Sequence, residues 1–146
     1  MSESKIKFRI VTSEKTVFED EVDQATFMTS DGQITILPNH RSYITSLMPG
    51  EAMIKKNGEE SFLSISGGFI EFHDNTLIVL ADTAERAEEI DLTRAEEARK
   101  RAEELKNQVI SKDDEEYARV AAAIQKESAR IRVARKHHTK RGILGE

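Results

Sequence analysis

The sequence predicts an α+β chain, with an N-terminal antiparallel β-sandwich or barrel followed by a C-terminal antiparallel hairpin of two helices. In the first part, short runs of alternating apolar and polar residues are separated by turn residues. Beyond Glu85, neither Gly nor Pro occurs until Gly142, and Ala, Glu, Arg and Lys dominate. A polar break at residues 111–114 divides this second part. We therefore predict a sandwich domain at residues 1–84 and a helical hairpin with a basic tail at residues 85–146.

Eight short apolar runs support the sandwich prediction. In the first, Ile6, Phe8 and Ile10 alternate with charged residues, as in a strand with one buried face. The other runs are Val22–Met28, Ile34–Leu37, Tyr43–Leu47, Ala52–Lys55, Phe62–Ile65, Phe69–Phe72 and Leu77–Leu80. Turn residues separate the runs, and Asn57-Gly58 is a hairpin signal. Short, evenly spaced strands indicate an antiparallel sandwich or barrel, in which the glycines of SGGF (residues 66–69) would allow a bulge or a tight crossing.

Two helices are predicted in the second part, at about residues 91–108 and 114–136. Asp91 suits the N-cap of the first helix, and Ser111 followed by Asp114 resembles a capping box for the second. The short connection makes the helices antiparallel. Their facing residues recur at spacings of three and four, as in a coiled-coil seam. The predicted seam comprises Ala95, Ala98, Ala102, Leu105 and Val109 on the first helix, and Tyr117, Ala121, Ile124, Ser128 and Ile131 on the second. Because alanine buries little apolar area, we expect close but weak packing.

Charge is distributed unevenly along the chain, whose net charge is −5. Through Thr83 there are thirteen acidic and seven basic residues, whereas from Tyr117 onward there are eight basic and two acidic residues. No aromatic residue accompanies the basic cluster after Tyr117, and the sequence pI is about 5.5. An acidic protein surface is therefore a better counterpart for this cluster than nucleic acid, and no nucleic-acid partner is expected.

No catalytic or metal-binding pattern is apparent. The chain has no cysteine, which excludes a thiol nucleophile and a thiolate metal site. No nucleophile is paired with a base, and no phosphate-binding loop is present. The four histidines lack metal-ligand spacing and are His40, His73, His137 and His138. We expect neither an enzyme nor a metal site. The absence of a signal peptide or membrane-spanning run predicts a soluble protein.

Three segments carry a family likeness. They are SDGQITILPNH (residues 30–40), SGGF (residues 66–69) and ADTAERAEEIDLTRA (residues 81–95), and an alanine-rich helical hairpin follows them. In this order and spacing they resemble the epsilon subunit of the bacterial F-type ATP synthase. The resemblance covers the chain apart from the terminal KHHTKRGILGE, for which it implies no role.

The resemblance implies a non-catalytic central-stalk (rotor) subunit of a proton-translocating ATP synthase. Such a subunit couples rotation of the c-subunit ring to the catalytic head and inhibits ATP hydrolysis through its C-terminal hairpin. Its implied partners are the gamma subunit, the c ring, and the beta and alpha subunits. It would lie at the cytoplasmic face of the bacterial plasma membrane, associated with the membrane only through the complex. The alternative is a free-standing ATP-sensing binding module.

The resemblance also implies two contact regions with other subunits. The ring-facing residues would be Asp31, Gly32, Gln33 and His40. This sequence departs from the family pattern because Gln33 replaces a common glutamate, and Thr35 and Asn39 replace glycines. The ring contact would then depend on Asp31 and on hydrogen bonding. When extended, the second helix would bring a set of cations against acidic loops of the beta subunits: Arg119, Lys126, Arg130, Arg132 and Arg135.

A regulatory ATP site in the hairpin is the third implication, and no other cofactor is required. The implied residues are Ile90, Asp91, Arg94, Ala95, Arg101, Lys126 and Arg130. Lys126 stands where an arginine is expected, and lysine cannot make the bidentate contact to phosphate that arginine makes. The residues themselves also permit a simpler interpretation. Asp91 would then cap the helix, with Arg94 and Arg101 solvated or paired to nearby glutamates.

Overall fold

The structure is a computed structural model that describes residues 4–108 and 114–143. Within these residues, ten strands form one sheet that curls into a nearly closed barrel, ordered β10-β7-β6-β3-β5-β8-β9-β1-β2 with β4 paired to β3. The strands are β1 (Ile6–Val11), β2 (Thr16–Val22), β3 (Gln24–Thr29), β4 (Gly32–Ile36), β5 (Tyr43–Leu47), β6 (Gly50–Lys56), β7 (Glu59–Ile65), β8 (Gly68–His73), β9 (Thr76–Ala81) and β10 (Ala84–Arg86). A 3-10 turn (Ala87–Glu89) and two helices, α1 (Leu92–Gln108) and α2 (Asp114–Ile143), follow. The predicted fold class is confirmed.

The pairing is antiparallel except between β1 and β9, which run parallel from Lys7 opposite Thr76 to Val11 opposite Leu80. Strand β2 was missing from the prediction, and the predicted run from Val22 to Met28 combines the end of β2 with most of β3. The reason is that β2 carries three consecutive acidic residues, so its apolar side chains do not alternate. Pairing with β1 defines this strand instead.

The turn chemistry agrees with the prediction at two places. Asn57 and Gly58 both have positive φ, 52° and 82°, as the two-residue hairpin turn between β6 and β7 requires. Gly68 has φ of 125°, and a Cβ there would lie 2.0 Å from the carbonyl oxygen of Leu80. The SGGF segment therefore allows the tight crossing of β8 and β9 that was expected.

One apolar core fills the barrel. It comprises Ile6, Phe8, Ile10, Val22, Ala25, Phe27, Ile36, Leu47, Ala52, Ile54, Leu63, Ile65, Ile70, Phe72, Leu77, Val79 and Ala81. The predicted domain boundary after residue 84 falls inside β10, which pairs with β7 from Ala84 opposite Ile65 to Arg86 opposite Leu63. The sheet thus continues for two residues beyond that boundary.

The hairpin has a second, smaller core of its own. Ile90, Ala95, Ile131, Val133 and Ala134 are buried there together with Ala87, and Phe62 of β7 packs against them. Helix α2 contacts α1, β6, β7 and the 3-10 turn. The hairpin is therefore folded down on the sandwich, with α2 next to the sheet and no apolar cluster shared with the barrel core.

The predicted helix bounds are accurate at three of four ends. Asp91 caps α1, because its Oδ1 accepts a hydrogen bond from the backbone N–H of Arg94 at 3.1 Å. Helix α2 ends at Ile143 rather than at residue 136, since the intervening residues are helix-compatible and Gly142 stands one position before the end. The predicted capping box at Ser111 and the seam residue Val109 lie outside the described residues.

The predicted seam is confirmed at the base of the hairpin and wrong at its tip. Ala95 and Ala102 are buried, and Ile131 is only 2% exposed. Leu105 and Tyr117, in contrast, are 51% and 42% exposed. Within the described part of the hairpin, neither Leu105 nor Tyr117 belongs to the apolar cluster that α2 forms at the base. At the base, α2 is also covered by the sheet, and Val133 and Ala134 are buried in addition to the predicted seam.

Candidate functional site

The guanidinium of Arg130 is the centre of a charged cluster at the base of the hairpin. Its Nε lies 2.6 Å from Glu85 Oε2, and its Nη1 lies 2.7 Å from Glu127 Oε2. The side chains of Arg130 and Glu127 are 17% and 12% exposed, and that of Glu85 is 35% exposed. Burial alone would lower the pKa of Arg130, but the hydrogen bonds to Glu127 and Glu85 outweigh it, and the net effect is a raised pKa. The cluster therefore holds a permanent cation between two carboxylates.

Two further cations of α2 are paired. Arg135 Nη2 lies 3.2 Å from Glu96 Oε1 of α1, which ties the two helices together. Lys136 Nζ lies 2.6 Å from Glu51 Oε1 of β6 and 4.9 Å from the centroid of the Phe62 ring. Lys136 thus joins α2 to the sandwich. The sequence analysis did not identify these carboxylates, although the spacing of Glu127 and Arg130 on one helix is a recognisable pairing signal.

The remaining cations predicted to contact the beta subunits differ from Arg130 and Arg135 in their exposure and their ion pairing. Arg119 and Arg132 are exposed, and neither has an ion-pair partner within the described part of the chain. Lys126 is half-buried near the base of the hairpin. The structure therefore separates the predicted set into cations that hold the folded hairpin, Arg130 and Arg135, and cations that are accessible in it, Arg119 and Arg132.

The residues predicted to bind ATP are only partly gathered together. Ile90 and Ala95 belong to the second core, and Arg130 is engaged by Glu85 and Glu127. Asp91 caps α1, as in the simpler interpretation. Arg94 and Arg101 are exposed on α1. Ile90, Asp91, Ala95 and Arg130 thus have structural roles without a nucleotide, and ATP binding stays a prediction.

The predicted ring-contact residues lie at opposite ends of β4. Asp31 is in the exposed turn between β3 and β4, and Gly32 and Gln33 are the exposed first residues of β4. Thr29 Oγ1 donates to the carbonyl of Gly32 at 2.7 Å. His40 lies in the loop that follows the other end of the strand. There the His40 ring meets the edges of Tyr43 and Phe72, with centroids 5.9 and 5.8 Å apart.

The loop that carries His40 is fastened to the neighbouring hairpin. Asn75 Nδ2 donates to Asn39 Oδ1 at 3.0 Å, and Ser42 Oγ lies 2.9 Å from His73 Nδ1. His73 Nε2 also lies 3.2 Å from Asp74 Oδ2. This Ser–His–Asp series is exposed, with His73 and Asp74 side chains 67% and 88% accessible, so it lacks the enclosed setting that nucleophilic catalysis uses. It serves to connect two loops.

An apolar patch on the outer face of the barrel was not predicted. Ile44, Phe69 and Leu80 are 69%, 57% and 56% exposed. They lie on the adjacent strands β5, β8 and β9, and Phe69 is directly opposite Leu80. Ile78 and Val11 are half-buried on the same face. The sequence did contain an indication of this patch, because the runs that form β5, β8 and β9 have apolar residues on both faces of the sheet instead of on one. We call Ile44, Phe69 and Leu80 the outer apolar patch.

The described residues contain neither a membrane-spanning helix nor a cluster of metal ligands. No helix among them is long and apolar enough to cross a membrane. No group of three or more potential metal-ligating side chains is gathered among them.

Comparison with known families decides the class of protein. Residues 5–87 match the beta-sandwich domain, and residues 88–135 the long alpha-helix domain, of the "ATP synthase, Delta/Epsilon chain" family. The chain belongs to this family. The resemblance seen in the sequence is thereby confirmed over nearly the whole length of the chain.

Bacterial relatives extend the likeness. The chain is 44% identical over 136 residues to the "ATP synthase epsilon chain" of Chloroflexus aggregans, which covers 93% of this chain and 96% of the relative. It is 43% identical over 130 residues to the "ATP synthase epsilon chain" of Herpetosiphon aurantiacus, covering 89% and 94%. These alignments include both the sandwich and the hairpin.

Solved structures show the same fold in more distant proteins. A chain of the Euglena gracilis mitochondrial ATP synthase, in a complex of OSCP, F1 and c ring, superposes with a TM-score of 0.74 at 21% identity, covering 87% of this chain and 79% of that chain. A chain from the central stalk and c ring of the Tetrahymena thermophila mitochondrial ATP synthase gives 0.60 at 16% identity, covering 94% and 98%. At these identities the likeness concerns the fold.

Proposed function

We propose that this chain is the non-catalytic epsilon-type rotor subunit of a bacterial, proton-translocating ATP synthase, and that its hairpin inhibits ATP hydrolysis when it leaves the sandwich. The subunit works at the cytoplasmic face of the plasma membrane, which it reaches only through the complex. The inhibitory role is supported mainly by the way in which the hairpin is held on the sandwich. A small core separate from the barrel core, together with a few ion pairs, holds α2 on the sheet. Such a contact can open while the sandwich stays folded.

The outer apolar patch is the surface by which the sandwich binds the gamma subunit. Three large apolar side chains exposed side by side on a sheet face are typical of a protein-protein contact. Asp31, Gly32, Gln33 and His40 form the contact with the c ring.

Replacing Phe69 by Asp tests the gamma contact. Because Phe69 is 57% exposed, the substitution leaves the barrel core intact, but it places a charge in the middle of the patch. We expect the variant to stay folded and to lose co-purification with gamma. Glu71→Gln on the same strand face is the matched control and should retain gamma. A Phe69→Asp variant that still binds gamma as well as the control would refute the assignment, and a wild-type chain that never travels with gamma would favour the free-standing ATP-sensing module.

The inhibitory role is tested with the accessible cations. Arg119 and Arg132 have no ion-pair partner among the described residues of the folded hairpin, so Arg119→Gln combined with Arg132→Gln should leave that state unchanged. If the released α2 grips acidic loops of the beta subunits, the double variant should raise ATP hydrolysis by the assembled enzyme. Removal of all residues after 110 should raise it at least as much. The control is Lys100→Gln, an exposed cation of α1. Unchanged hydrolysis after the truncation would disprove inhibition by the hairpin.

ATP binding by the hairpin is a second, subordinate proposal. Arg94 and Arg101 are exposed on α1, and Lys126 and Arg130 lie on α2, so cations of both helices could approach one phosphate group. Titration of the isolated chain with ATP should show saturable binding that Arg94→Gln abolishes. An absence of binding at millimolar ATP would refute regulation by ATP, but it would not contradict the proposed rotor function.

A further inference from the structure

Arg130 differs from the other cations of α2 in how deeply it is held. Its side chain is 17% exposed, against 64% for Arg135 and 44% for Lys136. Two of its nitrogens donate to carboxylates, Nε to Glu85 and Nη1 to Glu127. Ion pairs on an exposed surface contribute little to stability, whereas a partly buried cation that loses its acceptor is costly. Of these three cations, Arg130 is therefore the one for which the loss of a carboxylate partner would destabilise the folded hairpin most.

The two carboxylates around Arg130 are not equivalent. Glu127 lies on α2, three residues before Arg130, so this pair moves with the helix and survives its release. Glu85 lies on β10, which is paired to β7 in the sheet. Its contact with Arg130 exists only while α2 rests on the sandwich. The contact with Glu85 is thus the one that distinguishes the folded from the released hairpin.

The other pairs cannot take over this role. Arg135 and Glu96 both belong to the hairpin, so their pair also persists after release. Lys136 does reach the sandwich through Glu51, but the Lys136 side chain is 44% exposed, against 17% for Arg130, so its charge stays largely solvated if the pair breaks. Without Glu85, the Nε–H of Arg130 would remain in a mostly buried position without an acceptor.

We propose that Glu85 and Arg130 form a latch: this ion pair between the sheet and α2 sets the ratio of folded to released hairpin. The carboxylate of Glu85 stabilises the folded state selectively, and Glu127 keeps the guanidinium oriented toward it. Arg130 also belongs to the cations predicted to contact the beta subunits. It cannot contact Glu85 and a beta subunit at the same time, so the two contacts exclude each other. The regulatory consequence of the latch, though not the latch itself, rests on the proposed function.

The test measures the position of the hairpin in the full-length isolated chain. The chain has no cysteine, so Ser61→Cys on β7 and Ala123→Cys on α2 introduce a unique pair of sites for spin labels. Both positions are exposed and away from the latch. Distance distributions between the labels give the ratio of folded to released hairpin directly.

Glu85→Gln should lower that ratio by roughly tenfold or more, because it removes the negative charge that pairs with the mostly buried guanidinium. Glu88→Gln, an exposed carboxylate on the adjacent 3-10 turn, is the matched control and should leave the ratio unchanged. A double-mutant cycle with Arg130→Gln should give a coupling of at least about fivefold. Equal ratios in Glu85→Gln and Glu88→Gln, or an absence of coupling in the cycle, would overturn the latch. Far-ultraviolet circular dichroism checks that each variant remains folded.

A second measurement separates the latch from the inhibitory role. In the assembled ATP synthase, Glu85→Gln should slow ATP hydrolysis relative to Glu88→Gln, since more hairpins are released. If the labels report release but hydrolysis is unaffected, the latch stands and inhibition by the hairpin is refuted. If the labels report no release, the latch itself is refuted, whatever the hydrolysis rate.

Discussion

Replacing Ile131 by Ala should detach the hairpin without unfolding the sandwich. Ile131 is 2% exposed and belongs to the second core, which shares no residue with the barrel core. The substitution removes about three methyl or methylene groups, or about 2.4 kcal/mol at 0.8 kcal/mol each. The unfilled cavity increases the cost, so the expected total is about 2–5 kcal/mol. This loss falls on the docking of the hairpin.

Hydrogen exchange of the native chain is the assay. A released pair of helices with an alanine-rich seam is only marginally stable, so its amides exchange once the hairpin leaves the sheet. A loss of 2.4 kcal/mol corresponds to about 50-fold faster exchange of the α2 amides between Glu127 and Ala134. The amides of β8 and β9 should keep their wild-type rates.

Leu105→Ala is the matched control for Ile131→Ala. Both residues belong to the seam predicted from sequence, but Leu105 is 51% exposed. Its replacement should cost less than about 1 kcal/mol and leave the exchange of α2 nearly unchanged. The reasoning is refuted if Ile131→Ala accelerates exchange in α2 and in the barrel strands equally, or if Leu105→Ala has as large an effect as Ile131→Ala.

Two further predictions concern the sandwich. Gly68→Ala should destabilise it by about 2–6 kcal/mol in urea denaturation, because the residue has a φ of 125° and its Cβ would overlap the Leu80 carbonyl. Gly58→Ala, also at positive φ but with open space around it, should cost only about 1–2 kcal/mol, and equal losses would contradict the steric argument. Hydrogen bonds from Lys5 and from the backbone of Asn57 lower the pKa of Asp23 below its ordinary 3.8. A lowered pKa stabilises the fold above pH 3.8, and this contribution is lost as the pH falls through the native pKa. Asp23→Asn should therefore lower the urea midpoint at neutral pH and match wild type near about pH 2, whereas a constant difference across this range would show that the charge of Asp23 is unimportant.

Local pattern was enough to predict the architecture of this chain. Alternation and turn residues predicted the sheet, and Asp91 capped α1 as expected. Strand β2 escaped prediction because its residues Glu19, Asp20 and Glu21 give no alternation, and its pairing with β1 is a tertiary property. Periodicity treats every turn of a helix alike, so it could not separate buried Ile131 from exposed Leu105.

The partners of the cations in α2 could be predicted only in part. Glu127 lies within one turn of Arg130, and sequence spacing can indicate such a pair. Glu85 is 45 residues away, and Glu51 is 85 residues from Lys136, so these contacts arise only when α2 lies on the sheet. The outer apolar patch needed the sheet order as well, because it is assembled from three strands.

A tether between the hairpin and the sandwich tests the central claim most directly. Glu51→Cys and Lys136→Cys introduce the only thiols of the chain at positions whose side chains are already in contact, and a bis-maleimide can join them before assembly with the other subunits. Our account predicts that ATP hydrolysis by the assembled enzyme is faster with the tethered chain than with the same variant left unjoined. Equal rates would contradict it, because a hairpin that cannot leave the sheet would then inhibit as well as one that can.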